Sequence, residues 1–157
     1  MRELSMSKGF VALADENDYE LLSMYHWWPD RRSNTIYARA HIGGKKVYMH
    51  LLLMGSNRGF HVDHRDRNGL NNQRYNLRIS TVSQNLANQK IRTGGTSRFK
   101  GVCWSKRLSK WHVTTKVRNK SVGIGYFTSE TEAALAYDVF ALKTWGEFAL
   151  LNFPKGA

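Results

Sequence analysis

The chain of 157 residues carries 24 Lys and Arg against 12 Asp and Glu, a formal net charge of +12. That balance points to a polyanionic partner, because each cation meeting a phosphate releases condensed counterions. The length allows one ordinary domain or two small ones; the single cysteine, Cys103, excludes an intramolecular disulfide and a Cys-rich zinc site, and no apolar run approaches the roughly 20 residues of a membrane span.

The N-terminal segment MRELSMSKGFVALADEND lacks the apolar core of a secretion signal, so the expectation is a soluble, cytoplasmic protein. Gly9 to Leu13 reads as a short strand, and Asp15-Glu16-Asn17-Asp18 offers an N-cap and early acidic residues for a helix through Tyr25. Tyr37 to Ile42 and Lys45 to Tyr48 read as strands joined at Gly43-Gly44, followed by a helical His50 to Met54. Trp27, Trp28, Tyr37 and Tyr48 are the expected core of this region. A strand ends at Asp63-His64, a polar loop follows, and Asn76 to Ile79 resumes as a strand. Ser80 or Thr81 then caps a helix to about Lys90.

Ile91 to Ser97 is rich in Gly and Thr and reads as a linker. Beyond it, Phe99 to Ser105 reads as a strand. Trp111 to Val117 alternates, placing Trp111, Val113, Thr115 and Val117 on one face and His112, Thr114, Lys116 and Arg118 on the other. Asn119-Lys120 is a turn, Ser121 to Phe127 a third strand, and Glu130 to Trp145 a helix with an apolar stripe.

Between Arg31 and Lys120 stand 20 basic residues and two acidic ones, Asp63 and Asp66. Two carboxylates so close to a histidine suit a cation site, although each can also cap a turn. Phosphodiester hydrolysis needs an activated water and charge relief on the phosphate. Histidine can take the proton, and a hard divalent cation held by carboxylate and amide oxygens can neutralise the charge. The segment from Asp63 to Asn88 supplies those groups. Strict alternation sends Asp63 and His64 to opposite sides unless the strand twists or bulges.

The run VDHRDRNGLNNQRYNLR (Val62 to Arg78) followed by SQNLAN (Ser83 to Asn88) closely resembles HNH endonucleases of the phage and intron-associated homing type. The resemblance implies a ββα-metal fold over residues 1–90, with Asp63 and Asn85 as divalent-metal ligands, His64 as general base and Asn76 orienting its imidazole. Asn85 stands where many relatives place a second His. The implied cation is Mg²⁺, with Mn²⁺ as the alternative, and no structural zinc is expected. His50 occupies the position of a His common among relatives and, with His61, is a candidate to contact phosphate or support the site. Asn88 rivals Asn85 as a ligand, and His61 shares strand parity with Asp63. Arg65, Arg67, Arg74 and Arg78 are candidate phosphate contacts, one or two of which could pair with Asp66.

SRFKGVCW (Ser97 to Trp104), KWHV (Lys110 to Val113), GYF (Gly125 to Phe127), AALAYD (Ala133 to Asp138) and LNFP (Leu151 to Pro154) resemble the APETALA2-type DNA-binding domain. That family implies three antiparallel strands entering the major groove, with one helix behind them, here over residues 98–157 after a linker at 91–97. Cys103, Ser105, Ser121 and Gly123 stand where plant members carry base-reading arginines and a tryptophan, so the plant recognition sequence does not transfer. Lys100 and Lys116 keep positive charge. Lys106, Arg107 and Lys110 are expected phosphate contacts, with Ser105, His112, Thr114, Lys116 and Arg118 on or beside the groove-facing sheet.

The expected protein is thus an α+β, metal-dependent DNA endonuclease cutting duplex DNA at a preferred site. One active site per chain makes nicking by a monomer the default. A non-catalytic DNA-binding regulator is the alternative, and an RNA-binding or ribosome-associated protein explains the charge but not this residue set.

Overall fold

A computed structural model describes residues 1–32, 35–55, 59–91 and 94–154. The chain divides into two units, Met1–Thr81 and Val82–Ala157. In the first, β1 (Arg2–Ser5) pairs antiparallel with β2 (Val11–Ala14), and α1 (Glu16–Ser23) follows. Asp15 occupies the N-cap position of α1, but its carboxylate does not cap. It accepts instead from the Arg74 backbone N–H at 2.8 Å and from Gln73 Nε2 at 3.3 Å.

Three strands form the next sheet, β3 (Trp28–Arg32), β4 (Thr35–Ile42) and β5 (Lys45–Tyr48), in the order β3-β4-β5. Pro29 lies in β3, an edge strand, where a missing N–H interrupts no ladder on the open side. α2 (Met49–Met54) leads towards β6 (Phe60–His64), which pairs antiparallel with β7 (Leu77–Thr81).

The core of this unit differs from the expected aromatic one. It is built from Leu4, Met6, Ala12, Ala14, Leu22, Trp27, Ala38, Ala40, Met49, Leu53 and Leu77. Only Trp27 of the four expected aromatics is buried, with its Nε1 donating to Leu22 O at 2.8 Å. Trp28, Tyr37 and Tyr48 are half-buried. The reason is parity: Ala38 and Ala40 turn inward on β4, which sends Tyr37 and Arg39 to the other face. Small alanines there leave room for Trp27, Leu22 and Met49.

The second unit begins with α3 (Val82–Asn88) and contains the sheet of β8 (Val102–Ser105), β9 (Lys110–Val117) and β10 (Lys120–Phe127), ordered β10-β9-β8. Helix α4 (Glu130–Trp145) packs on this sheet through Ala133, Ala134, Tyr137, Ala141 and Trp145, against Val102 and Val113. Ser129 caps α4 by accepting from Glu132 N. The division precedes the expected linker at 91–97, of which Arg92 and Thr93 lie outside the described residues. The physical reason is that α3 is bonded into the second unit. Ala87 is buried in its core, Trp145 Nε1 donates to Ser83 Oγ at 2.9 Å, and Leu150 N donates to Ala87 O at 3.1 Å.

The closing segment is held by one buried carboxylate. Asp138 accepts from the backbone N–H groups of Asn152 and Phe153, each at 2.8 Å, while Asn152 Oδ1 accepts from Lys100 N at 2.7 Å. The Ala-Tyr-Asp and Leu-Asn-Phe-Pro motifs are therefore two halves of one structural clasp. Gly101 belongs to the same arrangement: its φ is +78°, and a Cβ there would lie 2.1 Å from the buried Tyr137 ring.

Candidate active site and nucleic-acid interface

Asp63 and His64 end β6 in a regular ladder, opposite Arg78 and Leu77, and both are buried. Alternation gives them separate surroundings. His64 packs edge-on to His50, ring centroids 5.0 Å apart, and against Tyr37 at 5.6 Å. His50 in turn lies 5.2 Å from Tyr37 and stacks on Tyr48 at 5.6 Å. Gly69, in the loop after β6, makes this approach possible, since a Cβ there would stand 2.5 Å from both the Tyr37 ring and Ile36 O. Of the expected supporting residues, His50 is thus brought to His64, whereas His61 is exposed.

Burial lowers the pKa of His64 below its ordinary value. A hydrogen-bonding Asn72 side chain and the Asp66 and Asp63 carboxylates pull it partly back. The imidazole is therefore neutral near pH 7, the form that can accept a proton. Burial and the neighbouring His64 push His50 down to about 3, and burial with the Asp63 charge raises Tyr37. His50 Nδ1 has no hydrogen-bond partner among the described residues.

A stability prediction follows from His50. Its folded pKa lies below the unfolded value near 6.5, so its contribution is fully present above that pH. It is lost as pH falls towards 3, because only the unfolded chain takes up the proton. The loss between pH 7 and pH 5 should be about 2 kcal/mol from this group. In urea titrations of the full chain, His50→Phe should remove that part of the pH dependence. An equal pH 5 penalty in wild type and variant would exclude His50 as its source.

Asp63 pairs with Arg78: Nε and Nη2 both donate to Asp63 Oδ2 at 2.8 Å, and both side chains are buried. Arg74 is committed too, its Nε and Nη2 donating to Asp18 at 2.8 and 2.7 Å. Arg78 is thus buried in its ion pair, whereas the Arg74 side chain stays 53% exposed beside Asp18. Arg65 is exposed, and Arg67 is half-buried in a left-handed backbone conformation at φ 63°.

Asn76 is bonded within the loop after His64. Its Nδ2 donates to Asp66 Oδ1 at 2.9 Å and to Asn71 O at 2.8 Å, and its Oδ1 accepts from Asp66 N at 3.0 Å. Asn76 closes the loop after His64, and the side chain beside the imidazole is Asn72, fully buried. Asn72 lies in the polar loop, and nothing in its spacing distinguishes it from Asn68 or Asn71.

Asn85 and Asn88 lie on α3 in the second unit, the first half-buried and the second buried. In that unit β9 alternates as expected, with Val113 in the core and Trp111 and Val117 packed against it. The other face of β9 presents His112, Thr114 and Lys116. Thr114 Oγ1 donates to Val122 O at 3.2 Å. Ser105 is half-buried opposite Lys110; Lys106, Arg107, Lys110, Lys116 and Arg118 are exposed. The Lys100 ammonium donates to the carbonyls of Leu86, Ala87 and Gln89, closing the C-terminal end of α3 as a basic group can.

One residue on this face was missed. Tyr126, exposed and paired across the ladder with His112, stacks on that imidazole at 4.5 Å and 15°. A register shift between Gly123 and Gly125 hides it, because the bulge breaks the period-two pattern along β10.

Comparison with known proteins gives likenesses over part of the chain and over nearly all of it. A 59-residue segment is 42% identical to the ethylene-responsive transcription factor WRI1 of Arabidopsis thaliana, covering 38% of this chain and 13% of that protein. A 63-residue segment is 36% identical to Protein 3.8 of Escherichia phage T7, covering 40% of this chain and 52% of that protein. Over 153 residues the chain is 26% identical to an uncharacterized HNH endonuclease, L560, of Acanthamoeba polyphaga mimivirus, covering 95% of this chain and 78% of that protein. The chain therefore spans less than a fifth of the plant protein and about half of the phage protein. No protein-family model matches the chain, and no solved structure does. Among the described residues no helix is long and apolar enough to cross a membrane.

Proposed function

We propose that this chain is a divalent-metal-dependent DNA endonuclease of the HNH type, nicking duplex DNA at a preferred site. The observation that carries the reading is the buried Asp63-His64 pair ending β6, with His64 packed against His50 and Tyr37, in a stretch whose other charged residues are almost wholly basic. His64 takes the proton of the attacking water as the new phosphorus–oxygen bond forms and the ester oxygen leaves. Tyr37 and His50 wall the imidazole, and Asn72 orients it.

Among the described residues no three His, Cys, Asp or Glu side chains cluster as a metal site. The donor this unit offers is one carboxylate, Asp63, and the HNH resemblance alone adds the amide of Asn85. Such an oxygen set suits Mg²⁺ or Mn²⁺, because a small hard cation keeps several waters and needs few protein ligands. When bound, the cation supplies charge neutralisation on the phosphate and the departing oxygen. In the second unit, Lys106, Arg107 and Lys110 meet phosphates, and His112, Thr114, Lys116 and Tyr126 form the groove-facing surface. The similarity to the mimivirus HNH endonuclease through nearly the whole chain, and to a plant transcription factor through part of it, supports both assignments.

Supercoiled plasmid incubated with the protein and Mg²⁺ or Mn²⁺ should become relaxed circles, and chelation should stop the conversion. DNA binding without cleavage, across both metals and varied target DNA, would leave a non-catalytic DNA-binding protein and overturn the reading.

A further inference from the structure

Apart from Tyr37, the face of the β3-β4-β5 sheet opposite the alanine core has no role in the chemistry above. The register sets Trp28 opposite Arg39 and Arg39 opposite Tyr48, with His41 opposite Lys46. Trp28 is flanked by His26 at 4.6 Å and His41 at 5.9 Å. The one carboxylate of the face, Asp30, accepts from Tyr48 Oη at 2.6 Å and pairs with Lys46 at 3.1 Å and Arg32 at 3.3 Å. Arg32 and Lys46 thus share one carboxylate while Arg39, among the described residues, has none, an excess of two positive charges among the Arg, Lys and Asp side chains of the face.

Arg39 is the telling member. It stands in the middle strand between two aromatic side chains, and among the described residues it makes no ion pair. Its Nε is buried without an acceptor. A buried donor on a charged group without a partner is costly unless something else supplies an acceptor. Arg39 as a whole is only half-buried, so an anionic oxygen from solvent can meet the part of its side chain that stays exposed. Interleaved cations and aromatic rings are the surface that a sugar–phosphate chain with stackable bases fits. The face is also continuous with the candidate active site, because Tyr37, two residues from Arg39 on the same side of β4, touches both His50 and His64.

We propose that this face is a second DNA-binding surface, holding the sugar–phosphate backbone of one substrate strand on Arg39 between Trp28 and Tyr48 and leading it to His64. The path to His64 rests on the proposed nuclease reading; the binding itself does not. An acidic protein segment would match the charge but not the continuity with His64.

The test uses the full chain in a His64→Ala background, so that a labelled duplex survives in the presence of metal. Affinity is read by fluorescence anisotropy over a salt series. Arg39→Gln should weaken binding about five- to tenfold and reduce the slope of log affinity against log salt by about one, the value for one lost phosphate contact. Lys143→Gln, the same charge loss on the exposed side of α4, should leave the slope unchanged. Should Arg39→Gln fail to fold, the exposed Lys46→Gln reads the same face and should lower the slope likewise. A folded Arg39→Gln or Lys46→Gln protein with the wild-type slope, or with no more effect than Lys143→Gln, would overturn the proposal. A reduced slope in a chain whose wild type never cleaves DNA would keep this surface and remove the role of His64, so the two readings fail separately.

Discussion

His64→Ala should lower plasmid nicking by about 10² to 10⁴-fold, the usual worth of a positioned proton acceptor, while duplex affinity stays within about twofold of wild type. The two readouts should separate because His64 is buried and its ring is committed to Tyr37 and His50, so it adds little to the charged surface that meets phosphates. The pH profile adds a sign. The base form is the neutral imidazole, and burial depresses the pKa, with Asn72, Asp66 and Asp63 opposing and His50 the nearest titratable ring. Activity should therefore hold as pH falls through the ordinary histidine value near 6.5 and decline only below it. Equal nicking by wild type and variant would remove His64 from the chemistry. A decline already complete above pH 6.5 would contradict the desolvated site.

How much of this was readable before the fold depends on whether a residue's partner is near in sequence. Strands β4, β5 and β9 are legible because period-two alternation is a local signal, and α4 because its apolar stripe and Ser129 cap are local as well. β1 is four residues without alternation, and β3 contains Pro29, which reads as a breaker until the strand is known to lie on an edge. The aromatic residues misled for a different reason. Tyr37, Arg39 and His41 share one parity and Ala38 and Ala40 the other, yet aromatic bulk suggests the core more strongly than alanine does.

The site divides along the same line. Asp63, His64 and His50 could be singled out from residue type, spacing and resemblance, and the fold places His50 against His64. What could not be read is which basic residues are already spent. Arg74 meets Asp18 from 56 residues away, Arg78 meets Asp63 across a ladder, and Lys100 closes a helix 11 to 14 residues upstream. A guanidinium in a sequence is a charge of unknown address. Only the fold separates Arg39, without an ion pair among the described residues, from Arg78, which is buried against a carboxylate.

That pairing carries the second large expected effect. Arg78→Met should cost about 3 to 5 kcal/mol of stability at neutral pH, because it leaves the Asp63 carboxylate buried without the guanidinium that both N–H groups now bring to Oδ2. Adding Asp63→Asn should recover more than about 1 kcal/mol of this, since the loss lies in the stranded charge rather than in the volume of Arg78. Urea unfolding of the four proteins measures both quantities, and a loss below about 1 kcal/mol in Arg78→Met would show that the pair is not what stabilises this strand ladder. The same variant separates two roles for Asp63. If the carboxylate also serves as a cation ligand, Mg²⁺ or Mn²⁺ can replace the lost positive charge. The stability of Arg78→Met should then rise with metal concentration, by about 2.7 kcal/mol at one hundred times the dissociation constant. The gain should vanish in the Asp63→Asn double variant. A metal-independent Arg78→Met protein would withdraw Asp63 from the proposed ligand set and leave it as the internal counter-ion of β7.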